Sequence, residues 1–133
     1  MNIQVMRHKH IRTEPPYVFY VGRSNVERYY GPERCLTALG NPFHVGPTHD
    51  LADAIAAYRK WLRAKLEAED PQVLKALHTL LTAYQKHGKL RLVCHCVSEA
   101  EPFQAPEVCH AQVIARAVRW LLGSDDWLTW EVS

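Results

Sequence analysis

RLVCHC, residues 91–96, is the stretch whose reading decides the fold. An apolar run enters three ligand-type side chains, Cys94, His95 and Cys96. It reads as a strand, on which side chains two apart share a face. Cys94 and Cys96 then point together and His95 points away. Immediately upstream, Lys86, His87 and Gly88 form a helix stop. The helix they end starts at Asp70 as N-cap with Pro71 in the first helical position, and its inward stripe is Leu74, Leu77, Leu81 and Tyr84. An earlier helix, capped by Asp50, carries Leu51, Ile55, Tyr58, Leu62 and Leu66 at spacings of four, three, four and four. Arg59, Lys60 and Arg63 lie off that stripe.

Farther out, YVFYV at 17–21 is aromatic and β-branched, a buried strand that stops at Gly22-Arg23-Ser24-Asn25. Residues 24–49 are broken by Gly31-Pro32, Gly40-Asn41-Pro42 and Gly46-Pro47. A loop this long is usually functional or hides a short helix. NIQVM at 2–6 reads as a short strand before a basic lead-in that ends at Pro15-Pro16. After the cysteines, 97–105 reads as a loop. Pro106 opens a last helix with Val113, Ile114, Ala117, Val118, Leu121 and Leu122 inward, and Gly123-Ser124 ends it. The tail DDWLTWEVS forms a short edge strand anchored by Trp127 and Trp130.

This order predicts an α/β fold: a small, three-layer, Rossmann-like, mostly parallel sheet flanked by helices. The 133 residues fit one domain, 1–133. Residues 1–16 are a basic lead-in arm or short edge strand, and 124–133 are a C-terminal edge segment. The helical hairpin at 50–87 keeps an antiparallel return open. With parallel strands, one carboxyl edge gathers the loop after Gly22, the cysteines and the start of the last helix. That edge is where ligands bind in open α/β sheets.

A net charge of +2 is too small to argue for nucleic acid by itself, although eight histidines add charge in mild acid. The N-terminal stretch lacks the apolar core of a secretory signal. No apolar run approaches the ~18 residues of a membrane span. The expected location is cytoplasmic, where thiols stay reduced. Four cysteines (Cys35, Cys94, Cys96 and Cys109) then favour metal, catalysis or burial over disulfides.

Gly22 lets backbone amides approach a ligand, and Arg23 can grip a phosphate or carboxylate bidentately. A plain strand-ending glycine with a solvated arginine is the simpler alternative. Asn41, held extended before Pro42, can offer its amide to a nucleobase or sugar, or simply shape a turn with Phe43 as plug. Cys94, Cys96, Cys109 and His110 are the right kind and number of ligands for tetrahedral zinc. Cys109 and His110 are neighbours, and adjacent helical residues point about 100° apart. His44 or His95 therefore competes for the fourth place. In a second reading Cys109 lies in the first helical turn, where the dipole favours a thiolate, and Cys96, Cys109 and His110 are catalytic. In a third, the cysteines pack as small apolar side chains. Arg7 through Arg12 form a basic arm that either touches nucleic acid or stays solvated.

YVGR (20–23), LGNPF (39–43), YRKWL (58–62), LVCHC (92–96) and the CH at 109–110 form a set. Together they resemble an uncharacterised family of bacterial and phage proteins, domain-of-unknown-function family 4326. That family's pattern has Trp between the two cysteines where this chain has His95. It also has a shorter link to CH than VSEAEPFQAPEV. The resemblance implies a compact α/β domain with Gly22, Arg23, Asn41, Cys94, Cys96, Cys109 and His110 gathered into one site, and implies no particular reaction.

The leading expectation is a domain that binds a small anionic ligand, a nucleotide or nucleoside derivative. Arg23 and the amides after Gly22 hold the anion, Asn41 orients the ligand, and the Cys/His group supplies thiol or metal chemistry. The rival is a zinc-stabilised, non-catalytic module that binds nucleic acid or protein. The blandest is an interaction protein whose cysteines only pack, with the tryptophan tail covering a homodimer seam.

Overall fold

A computed structural model of the chain describes residues 2–7, 15–22, 33–43, 50–94, 99–100 and 109–123. Strands β1 (Ile3–Arg7), β2 (Val18–Tyr20), β3 (Leu90–Cys94) and β4 (Glu99–Ala100) form one sheet in the order β2-β3-β1-β4. β3 runs parallel to both neighbours, with Cys94 opposite Arg7 and Val93 opposite Tyr20. β4 is antiparallel to β1 at Val5 and Met6. This two-residue strand falls in the stretch expected to be loop. β1 is paired on both sides rather than lying at an edge, in keeping with the burial of Ile3 and Val5.

The helical hairpin returns the chain in parallel, which settles the sheet direction. α1 (Leu51–Glu67) opens at Asp50, whose carboxylate accepts from the Asp53 N–H at 2.8 Å. α2 (Pro71–His87) opens at Asp70, which accepts from Gln72 and Val73, each at 3.1 Å. These caps satisfy amides that a helix start leaves without partners. α2 stops at Gly88, which adopts φ 72° and donates its N–H to the Tyr84 carbonyl at 2.7 Å. A side chain would be strained at that left-handed position.

The inward face of α2 is not the expected leucine stripe. Val73, Ala76, Leu77, Leu80 and Ala83 are buried, whereas Leu74 is 38% exposed and Leu81 and Tyr84 are half-buried. A stripe chosen by side-chain bulk overlooks the alanines, which sit in the tightly packed line of the helix.

The last helix, α3, spans His110–Leu121 and starts four residues later than Pro106 suggested. Every residue from His110 to Val118 is buried. α3 packs against α1, α2, β1 and β3. Helix side chains share one core with Ile3, Val5, Phe19, Val21, Leu90, Leu92 and Cys94, which alternate onto one face of the sheet. On the other face, Val18, Tyr20, Cys35 and Val93 cluster with Tyr17. Among the described residues that second face carries no helix, so the α/β class holds with its helices on one side. No helix among the described residues is long and apolar enough to cross a membrane. The tail at 124–133 lies outside the described residues.

Candidate functional site

All three parallel strands end on one edge, and a buried Cys/Cys/His group sits there. β3 delivers Cys94 to that edge with no exposed surface. Just past β2, Val21 keeps the ladder going by donating its N–H to the Val93 carbonyl at 2.8 Å. Its own carbonyl is thereby fixed in position. α3 begins beside them, with Cys109 as N-cap and His110 as first helical residue.

Cys109 is extended, at φ −150° and ψ 143°, and fully buried. Gln112, also fully buried, reaches back so that its Oε1 accepts the Cys109 N–H at 3.0 Å. This is the reciprocal half of a capping box. Cys94 Sγ and Cys109 Sγ lie 2.9 Å apart. His110 Nε2 lies 2.7 Å from the Val21 carbonyl oxygen. A carbonyl only accepts, so Nε2 carries the proton, and in the neutral ring Nδ1 keeps the lone pair. The two sulfurs and one His110 ring nitrogen are all within 4.8 Å of one another.

α1 holds the imidazole from the side. The Tyr58 ring meets His110 nearly edge-on, with centroids 5.2 Å apart and planes at 75°. Tyr58 is itself held by its hydroxyl, which donates to the Leu39 carbonyl at 2.7 Å, and by Trp61 stacked at 5.5 Å. The amides and dipole of the α3 N-terminus favour negative charge at the sulfurs beside it. Two thiols, one ring nitrogen with a fixed tautomer and a positive helix end form a group that can hold a soft cation or hand a proton between sulfur and imidazole.

The geometry corrects one sequence-based objection. Cys109 and His110 were expected to diverge by about 100° as adjacent helical residues. The cap residue is not helical, so that rule does not govern it, and both donors reach the same point. Cys109 is accordingly the N-cap rather than a first-turn residue.

Of the expected site residues, Cys94, Cys109 and His110 come together. Arg23 and Cys96 lie outside the described residues, as do the alternative donors His44 and His95. Gly22 follows the Val21 carbonyl directly, and a Cβ there would collide with the Tyr20 phenol. Close packing by Tyr20 thus already requires a glycine. Asn41 spends its side-chain oxygen within LGNPF, accepting from the Phe43 N–H at 2.8 Å. That hydrogen bond shapes the turn.

Sequence reading missed Tyr58 as a support of the site and took it only as a core residue. It also missed Gln112 and Arg116. Both are buried, at 0% and 9% exposure, four positions apart in a helix otherwise apolar from Ala111 to Val118. Two polar residues at helical spacing inside an apolar run are a readable sign of a buried polar face.

No curated protein and no solved structure matches the chain. A family model described as a domain of unknown function (DUF4326) matches residues 3–120. With the α/β frame and the Cys/Cys/His edge both inside that span, the chain belongs to this family.

Proposed function

We propose that this domain holds one zinc-type cation at the carboxyl edge of its sheet through Cys94, Cys109 and His110. Beside it the domain binds a small anionic ligand, of the nucleotide or nucleoside class. The observation that carries this reading is the fixed imidazole. A metal-bound histidine characteristically donates its other ring N–H to a carbonyl or carboxylate, as Nε2 does to Val21. Two buried thiols meeting that ring supply soft donors of the type zinc prefers.

The donor set fits a metal with one adjustment. Tetrahedral zinc holds two thiolates about 3.8 Å apart, so the sulfur pair at 2.9 Å must open on binding. Three protein donors leave a fourth position for Cys96 or for an oxygen of the ligand. A bound cation would supply Lewis-acid polarisation of that oxygen. The protein's part is to orient His110 through Val21 and Tyr58 and to exclude water from the sulfurs. The ligand reading draws further support from the position of the site at the strand carboxyl ends and from the α3 N-terminus aimed at it. A cytoplasmic setting, with thiols kept reduced, suits both parts.

The close sulfur pair favours a second reading, a metal-free dithiol in which His110 relays a proton to or from sulfur. Metal content by mass spectrometry on untagged protein purified without chelator, with thiols titrated in parallel, separates the two. About one zinc or iron per chain with Cys94 and Cys109 protected is expected. Protein that stays metal-free after incubation with zinc, with one fast-reacting thiol, overturns the metal reading in favour of the dithiol.

A further inference from the structure

We propose that the outer groove of α2, with the adjoining Tyr17 patch, binds single-stranded nucleic acid. Two cavities of about 790 and 620 Å³ run along this helix and adjoin at Glu33 and Thr79. Beside Ala76, His78, Ala83 and His87, the α2 residues that line them are Gln72, Lys75, Thr79, Thr82 and Lys86. Those positions recur every three or four residues and form one polar stripe, cationic near both ends. Lys75 and Lys86 are about 16 Å apart along the axis. Both are exposed.

Charge separates this stripe from an ordinary solvated helix face. From Pro71 to Cys94 the chain has Lys75, Lys86, Lys89 and Arg91 and no acidic residue, although its overall net charge is only +2. The rest of the chain is therefore net acidic. α1 shows the ordinary pattern, mixing Asp53 and Glu67 with its cations and pairing Arg63 with Glu67 at 2.9 Å. Among the described residues, Glu33 is the one acid lining the two cavities.

The groove ends at an aromatic patch that distinguishes a nucleic acid from an acidic peptide. Lys89 Nζ lies 4.6 Å above the Tyr17 ring centroid, Arg91 Cζ lies 5.7 Å from it, and the His87 ring is 6.4 Å away. Cations track phosphates, while ring and guanidinium planes accept bases. A polyglutamate chain would use only the first of these. None of these side chains belongs to the Cys/Cys/His cluster, so the inference stands or falls apart from the metal reading.

The test is fluorescence anisotropy with labelled 20-residue oligo-dT and oligo-U, and with a polyglutamate peptide of the same length. Binding of either oligonucleotide is expected to fall about fifty-fold between about 50 and about 200 mM salt, the counterion release of some four cations on a single strand. K75E/K86E should weaken it roughly tenfold or more, K89E by less, and the control K60E on α1 by no more than about twofold. Circular dichroism checks that each variant is folded. The stronger oligonucleotide then identifies DNA or RNA as the natural class. Absence of binding at low salt, equal binding of polyglutamate, or equal affinity of K75E/K86E and parent would each overturn the proposal.

Discussion

The cluster at the carboxyl edge and the stripe along α2 are built in opposite ways. The cluster closes contacts across the chain, Cys94 to Cys109 over 15 positions and Val21 to His110 over 89, and shuts them away from water. The stripe repeats a local helical spacing within seventeen residues and stays open. A buried polar group costs free energy unless its partners are in place, so the cluster is bound to the integrity of the whole fold. An exposed lysine can be reversed with little effect on folding. Changes at the edge should therefore move stability and chemistry together, and changes along the groove should move affinity alone.

Metal removal probes the closed region hardest. At a thousand-fold excess over its dissociation constant a bound ion stabilises the native state by about 4 kcal/mol. Chelation of zinc-loaded protein should then lower the melting temperature by roughly 15 °C. His110→Ala should show the low value with or without chelator. If chelator moves parent and variant equally, the cluster is not where the metal acts.

The two sides of α2 supply the next contrast. Leu77, 1% exposed in the main core, should cost about 2–5 kcal/mol when replaced by alanine. Leu74, at 38% exposure, should cost about 1 kcal/mol or less. Urea unfolding measures both. A reversed order would mean that α2 is rotated, turning its polar stripe into the core and removing the groove.

The same contrast explains what the sequence discloses. Asp50, Asp70, Pro71 and Gly88 mark the helix ends through chemistry confined to a few neighbouring residues, and the structure places those ends accordingly. The buried strands are likewise visible in YVFYV and LRLVC. The candidate site is legible as residue types but not as a meeting place. Nothing in the spacing says that the Val21 carbonyl will fix the His110 ring. The extended cap that turns Cys109 toward that ring depends on Gln112 folding back. The face of α2 is misread by one position because alanines carry no signal of bulk. β4 is too short to show a period of two.

Tyr58 links the two modes of construction, since α1 presents it by helical spacing and the site uses it by long-range contact. Tyr58→Phe removes the hydroxyl from the Leu39 carbonyl while keeping the ring against His110. The expected cost is about 1–3 kcal/mol, from one buried acceptor losing its donor. Metal content should not change. Loss of metal in this variant would show that the hydroxyl anchor, rather than the ring face, sets the imidazole.

The smallest effect is expected at the open end of α2. The Asp70 carboxyl is held below its ordinary value of 3.8, chiefly by the Val73 N–H; desolvation, next in size, opposes it, and Lys65 and the Gln72 N–H lower it further. A carboxylate whose folded pKa is depressed stabilises the fold above its unfolded value. That contribution is lost as pH falls through the folded value. Asp70→Asn keeps a good cap but removes the charge. Urea midpoints for the variant should therefore lie slightly below those of the parent at neutral pH and converge with them as pH falls below the ordinary carboxyl value of 3.8. Offset curves that stay parallel down to the lowest pH would mean that the charge of Asp70 does not couple to folding, and that its cap works through geometry alone.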